Sequence, residues 1–257
     1  MAENRKAMLG EVNAISITSP DLEMSLEFYQ KLGFSEVYRA DFPFPWIQVS
    51  DGALLLMLRK NPVPMCSLTY FTKEIHEVVA SLSSVGITCS QMTQSSDMIQ
   101  RFHMLSPDGL NIVLVSYVDG FFQPPGPTMI HMHQQDYFNP EKYVNKTCGL
   151  FGEFAHPVND LEISIAFWEK LGFKVMSKFT TPYPWAIITD QLAVIGLHQT
   201  KKFSYPAITF FASDMRAKIE NLKNAGLEDF PVDIPPNGNL VLTTPEKQHI
   251  NLYSLGM

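Results

Sequence analysis

Apolar residues fall at helical spacing in one early stretch and at strand-like spacing on both sides of it. Leu22, Leu26, Tyr29 and Leu32 share one helical face, and Met24 and Phe28 widen the stripe. Ser19-Pro20-Asp21 supplies a start signal, because a short acceptor side chain caps the first free N–H groups. Gly33 sits where a left-handed residue ends a helix. A β-rich run precedes the helix at 12–17, and three short strand-like runs follow at 35–40, 46–49 and 53–58. The local plan is β-α-β-β-β.

The plan recurs. Asp21-Leu22-Glu23-Met24-Ser25-Leu26-Glu27-Phe28-Tyr29-Gln30-Lys31-Leu32-Gly33-Phe34 returns as Asp160-Leu161-Glu162-Ile163-Ser164-Ile165-Ala166-Phe167-Trp168-Glu169-Lys170-Leu171-Gly172-Phe173, an offset of 139 residues (160 − 21). The register holds without a gap to Pro43-Phe44-Pro45-Trp46 against Pro182-Tyr183-Pro184-Trp185, and on to Asp51 against Asp190. Such a register means a duplicated unit. Helices are expected at 20–32 and 159–171. Fainter copies fill the gaps: 67–71 leads into a helix at 74–85 that stops at Gly86, and 207–211 leads into one at 214–225 that stops at Gly226. Ser106-Pro107-Asp108-Gly109 precedes a closing strand at 111–115, and Thr244-Pro245-Glu246 precedes one at 249–253. The chain reads as four β-α-β-β-β units in two pairs, an α+β fold. The first domain is expected at 1–120, a linker at 121–147 and the second domain at 148–257. Gly120-Phe121-Phe122-Gln123-Pro124-Pro125-Gly126-Pro127 breaks both periodicities. With Phe121, Phe122, Met129, Met132 and Phe138, the linker is too apolar for a free tether and is expected to pack along the domains.

The pattern strand, Asp-Leu-Glu-x-Ser-x-x-Phe-Tyr/Trp-x-x-Leu-Gly-Phe, then a closing Pro-Asp-Gly strand, resembles the glyoxalase/bleomycin-resistance/extradiol-dioxygenase group, the vicinal oxygen chelate superfamily. The resemblance covers nearly the whole chain outside the N-terminus and the linker. It implies tandem glyoxalase-like domains, each pairing two units on a curved mixed sheet. That superfamily includes lyases, dioxygenases, epimerases, antibiotic-modifying enzymes and binding proteins, so function has to come from the site.

Composition narrows the classes. A chain of 257 residues suffices for two modest cores. A net charge of −7 without a Lys/Arg stripe argues against nucleic acid as a partner. No apolar run reaches the roughly 18 residues of a membrane span, and Met1-Ala2-Glu3-Asn4-Arg5-Lys6 lacks a signal-peptide core. Cys66, Cys89 and Cys148 are odd in number and lack metal-type spacing, which reads as reduced thiols and a cytoplasmic location. Asn145-Lys146-Thr147 matches a glycosylation acceptor. The sequence leaves a homodimer open.

The resemblance implies a metal held by residues on the first and last strand of each unit, a set that suits divalent iron, manganese, nickel or zinc. In the first domain those positions fall on Ala14, Met57, Ser67 and Val113, and a metal is not expected there. In the second they fall on Glu153, Gly196, Ala207 and Asn251. Because strand residues two apart share a face, His198 joins Gly196 and His249 joins Asn251. Glu153, His198 and His249 would then form a displaced metal set, two of its ligands moved by about 6–7 Å along their strands. The main expectation is no cofactor, with that divalent metal as the alternative. His131-Met132-His133 reads as linker histidines, His156 as facing a helix, and His76 and His103 show no partner.

No nucleophile elbow, phosphate loop or dinucleotide fingerprint is present. Glu153 is the candidate acid or base, since burial in the cleft would raise its carboxyl pKa. The other use of such a cup is binding. Phe42-Pro43-Phe44-Pro45-Trp46 and Thr181-Pro182-Tyr183-Pro184-Trp185 place aromatics on proline-stiffened rims. Trp46, Tyr183, Trp185, His198 and Asn251 are the expected ligand-binding residues, for an aromatic or apolar small molecule. Two classes remain open. One is a bleomycin-resistance-like small-molecule-binding protein that has largely lost its metal site. The other is an enzyme, either a metal-dependent lyase or dioxygenase or a metal-free catalyst built on Glu153.

Overall fold

The computed structural model describes residues 7–42, 44–93, 98–117, 128–227 and 238–255. Pro43, Gly120, Phe121, Phe122 and the rest of 121–127 lie outside the described residues. The first copy is β1 (Val12–Ser19), α1 (Leu22–Lys31), β2 (Ser35–Ala40), β3 (Trp46–Ser50) and β4 (Leu55–Lys60). The second is β5 (Cys66–Thr72), α2 (Ile75–Ser84), β6 (Ser90–Gln91), β7 (Arg101–Leu105) and β8 (Asn111–Ser116). The third is β9 (Leu150–Pro157), α3 (Leu161–Lys170), β10 (Lys174–Phe179), β11 (Trp185–Thr189) and β12 (Val194–His198). The fourth is β13 (Ala207–Ala212), α4 (Met215–Asn224), β14 (Leu240–Thr243) and β15 (His249–Ser254). Two mixed sheets result, ordered β2-β3-β4-β1-β5-β8-β7-β6 and β10-β11-β12-β9-β13-β15-β14. The expected α+β architecture of paired β-α-β-β-β units is the one observed.

The repeat is visible in small devices. Asp21 Oδ1 accepts the N–H of Glu23 and of Met24, each at 3.1 Å, and Asp160 Oδ1 accepts those of Glu162 and Ile163, each at 3.0 Å. Both hairpins after these helices carry a register shift, between Glu36 and Tyr38 and between Val175 and Ser177. Asp51 and Asp190 each fold the β3–β4-type hairpin by accepting two N–H groups, from Ala53 and Leu54 or from Leu192 and Ala193. That turn moves the fourth strand of the first copy to Leu55–Lys60, two residues beyond the 53–58 expected. The helix stripe is also narrower than expected. Met24 is 55% exposed, because Ser25 takes the inward place and bonds the Ser19 hydroxyl at 2.7 Å.

By packing, the chain forms two compact units: residues 1–16, 66–124 and 155–204, and residues 17–65, 125–154 and 205–257. In the first, α3 lies on β10, β11 and β12, and α2 on β8. Asp108 accepts the Asn159 N–H at 2.7 Å and the Ser164 hydroxyl, which ties a β7–β8 turn to the start of α3. In the second, α1 lies on β2, β3 and β4, and α4 on β15. Phe210 meets Phe34 and Phe151 edge-on there, with centroids 6.4 and 6.2 Å away. Residues 128–147, the described part of the expected linker, pack in this unit. Tyr143 bonds Ser213 at 2.8 Å, and the Asn145 amide donates to the Leu32 carbonyl at 3.1 Å and to Asp51 at 2.9 Å. Gly33, at φ 86°, must be glycine, since a Cβ there would stand 2.8 Å from Thr147 Oγ1. Asn145 is 2% exposed, so its glycosylation motif is closed in the folded chain.

Candidate functional site

β11 begins with Trp185 and β12 ends with His198, and the antiparallel ladder sets these two directly opposite one another. Their neighbours Ala186, Ile188, Leu197 and Ile195 are core residues. Strand alternation therefore puts Trp185 and His198 on the other face. The indole and imidazole planes are stacked, 4° from parallel with centroids 5.4 Å apart. Phe179, at the end of β10, stacks on the far side of the indole at 4.2 Å and 18°. Tyr183 and Phe203 meet the imidazole edge-on at 5.9 and 5.6 Å. The Tyr183 hydroxyl lies 3.4 Å from His198 Nδ1, and the Lys202 ammonium stands 5.5 Å over the Tyr183 ring. The Trp185 N–H is fixed by the Thr181 carbonyl at 3.1 Å, so the proline-stiffened connection holds the indole.

Tyr183, Trp185 and His198 are thus brought together in the first compact unit. His198 ends its strand but is only 8% exposed, because rings enclose it. The indole has a ring on each face, so a ligand would meet Phe179, the indole edge, Tyr183 or Phe203 rather than an open indole face. Sequence reasoning missed Phe179, Phe203 and Lys202. Phe203 and Lys202 follow a strand end, where no periodicity marks a residue as inward.

Trp46 opens β3 as Trp185 opens β11. It is paired with Arg59, the counterpart of His198 at the 139-residue offset. Its N–H goes to the Phe42 carbonyl at 3.3 Å and its ring lies 5.2 Å from Tyr38. Arg59 was legible from the repeat and was not among the expected residues.

Glu153 is in the second compact unit, within β9 and 5% exposed. Asn251 is half-buried on β15, opposite Thr209, and donates to the Thr209 hydroxyl at 3.1 Å. His249 opens β15 opposite Ala207. Among the described residues, Glu153, His198 and His249 included, no three His, Cys, Asp or Glu side chains form a group able to hold a metal. Ala14, Val113, Gly196 and Ala207 offer no ligand atom in their side chains, and Ser67 shares its hydroxyl with Thr69 at 3.4 Å. The residues present do not fit the metal that the resemblance implies.

The remaining histidines have structural places. His103 and His76 do have partners: His103 Nε2 lies 2.8 Å from Asn111 Oδ1, and His76 meets Phe102 edge-on at 6.0 Å. His131 Nδ1 bonds the Thr128 hydroxyl at 3.0 Å. His156 is 4% exposed and neither ring nitrogen has a hydrogen bond. Burial pulls its pKa down to about 4, against the opposing pull of Asp108, and His198 adds to the lowering. Away from these, the Tyr70 hydroxyl donates to Asp190 at 2.5 Å inside the first unit. Burial raises the Asp190 carboxyl, while the Ala193 N–H, the Tyr70 hydroxyl and the Leu192 N–H counter it. Burial also raises the phenol well above its usual range, with Asp190 adding to the rise.

No protein-family model matches the chain, and no match was found among curated proteins. Solved structures do match. A variant of homoprotocatechuate 2,3-dioxygenase from Brevibacterium fuscum, in complex with HPCA, is 14% identical, with 99% of this chain and 74% of that one covered at a TM-score of 0.60. The 2,3-dioxygenase LapB from Pseudomonas sp. KL28 is 12% identical, with 98% and 94% covered at 0.61. Homoprotocatechuate 2,3-dioxygenase from Arthrobacter globiformis is 16% identical, with 97% and 81% covered at 0.59. At such identities the likeness is one of fold: the chain has the fold of the extradiol dioxygenases of the vicinal oxygen chelate superfamily, the group its sequence pattern resembles.

Proposed function

We propose that this protein binds a flat aromatic or apolar small molecule without a resident metal, in the manner of a bleomycin-resistance protein. The observation that carries this is the ring cluster of Phe179, Tyr183, Trp185, His198 and Phe203. The non-ligating residues at the expected metal positions support it. Mass spectrometry of small molecules released from purified protein tests the reading. An aromatic species released from wild type and lost from Trp185→Ala supports it. An unchanged yield from that variant sinks it. We read the domains as 1–120 and 148–257, joined by 121–147, and the location as cytoplasmic, with three cysteines outside any disulfide in support.

A second reading, favoured by the fold shared with dioxygenases, is an enzyme. It would use the buried Glu153 carboxyl as acid or base, without a metal. Elemental analysis tests this form, since stoichiometric iron, manganese, nickel or zinc would overturn it. Glu153→Gln keeps shape and removes charge. If Glu153 works on the ligand, the change costs at least about tenfold in affinity or rate, roughly 1.4 kcal/mol.

A further inference from the structure

We propose a second small-molecule site on the face of β2, β3 and β4 turned away from α1. It takes an organic carboxylate that has a flat apolar body and a hydrogen-bond donor. Ile47, Val49, Leu56 and Leu58 are buried in the strands that α1 covers. Alternation therefore gives the other face to Trp46, Gln48, Met57 and Arg59. The ladders fix the neighbours: Gln48 is opposite Tyr38 on one side and Met57 on the other, and Trp46 is opposite Arg59.

Gln48 is the informative residue. It is 1% exposed, and its Oε1 accepts no hydrogen bond. A buried carbonyl oxygen in that state is costly and calls for an explanation. The fold does not require it, because the duplicated copy has Ile187 at the same ladder position (187 − 48 = 139). The neighbours change chemistry in the same direction. Tyr38 replaces Ser177, Met57 replaces Gly196 and Arg59 replaces His198. The first copy has thus gained an aromatic ring, an amide acceptor and a permanent cation on one face. A guanidinium recognises a carboxylate through two parallel hydrogen bonds. The Tyr38 and Trp46 rings, 5.2 Å apart and tilted by 37°, offer apolar surface beside it. The Gln48 carbonyl would accept a ligand hydroxyl or N–H.

The site shares no residue with the ring cluster at Trp185, and the test keeps the two apart. The probe is 4-hydroxybenzoate, with 4-methylbenzoate as the analogue lacking the donor. Both are titrated calorimetrically into wild type, Arg59→Gln, Arg59→Lys, Gln48→Met and Trp185→Ala. The expected result is binding to wild type, a loss of at least about tenfold in Arg59→Gln, and a smaller loss in Arg59→Lys. Gln48→Met should erase the preference for the hydroxylated probe. Trp185→Ala should bind as wild type does, even if the Trp185 cluster proves to be a ligand site. Unfolding curves show that each variant is folded, and Arg59→Lys serves where Arg59→Gln is not. No binding to wild type at millimolar probe overturns the proposal. So does wild-type affinity in both Gln48→Met and the Arg59 variants, or a loss confined to Trp185→Ala.

Discussion

Trp185 and His198 face each other across an antiparallel ladder, with ring planes 4° from parallel. The pair spans 13 residues of sequence (198 − 185), yet the strand register alone brings it together. Phe179 completes a three-ring stack. Aromatic pairs of this kind add about 0.5–1.5 kcal/mol each beyond the area they bury.

Trp185→Phe should therefore be mild and Trp185→Ala should not. Phenylalanine keeps a ring between Phe179 and His198, whereas alanine removes both ring contacts. Trp185→Ala is expected to melt several degrees lower and to lose at least about tenfold in affinity for whatever aromatic ligand is recovered. Trp185→Phe should stay within about threefold of wild type, roughly 0.6 kcal/mol. Equal affinities for the two variants would show that the ring cluster is packing alone.

Tyr70→Phe tests the hydroxyl that Asp190 receives at 2.5 Å. Without it, a buried carboxylate loses one of its donors, at a cost of about 1–3 kcal/mol. For a chain of this size that lowers the melting temperature by roughly 2–4 °C per kcal/mol. The effect should depend on pH. Burial already raises the Asp190 carboxyl, and the Tyr70 hydroxyl is one of the groups that hold it down. Removing that hydroxyl raises the folded-state value further. The unfolded chain keeps its ordinary value, so the extra loss is absent when both states are protonated and grows as pH rises above the usual carboxylate range. Melting curves at pH 4 and pH 7 should show the larger deficit at pH 7.

The sequence made the fold legible because duplication prints the same devices twice. Asp21 and Asp160 cap their helices, and Asp51 and Asp190 turn their hairpins, at one offset. Hydrophobic spacing did not show that Ser25 displaces Met24 from the inward face, because a hydroxyl satisfied by Ser19 packs as well as an apolar group. The candidate site was half legible. Alternation on β11 and β12 placed Trp185 and His198, but Phe203 and Lys202 lie in irregular chain where no period applies. Tyr70 with Asp190, and Asn145 with Asp51, are contacts between distant segments that no local pattern marks.

Asn145 is the most connected of these. Its amide N–H groups serve the Leu32 carbonyl and Asp51, and its oxygen accepts the N–H of Thr147 at 3.0 Å and of Cys148 at 2.7 Å. Asn145→Ala leaves several buried groups unbonded and should cost on the order of 3 kcal/mol. Asn145→Asp should be worse at neutral pH than at pH 4, since it sets a second carboxylate beside Asp51, whose own carboxyl burial already raises. Chemical denaturation at both pH values checks the order. Equal stability of Asn145→Ala and wild type would mean that these hydrogen bonds add no net stability.

His156 gives the sharpest pH prediction. It occupies the place that Ile17 holds in the first copy (156 − 17 = 139), and it is buried with neither nitrogen hydrogen-bonded. Burial lowers its folded-state pKa from the usual 6.5 to about 4. The unfolded chain therefore takes up a proton first as pH falls. Stability is intact above about pH 6.5 and is lost as pH falls toward 4, by on the order of 3 kcal/mol if His156 acts alone. Asp108 opposes the loss by favouring the imidazolium, and His198 adds to it. His156→Ile restores the apolar residue of the other copy and removes the titrating group. The variant should match or exceed wild type at pH 7.5 and exceed it by about 2 kcal/mol at pH 5, measured by urea unfolding at both values. A difference between the two proteins that does not change between pH 7.5 and pH 5 would mean that His156 takes up its proton without opening the fold.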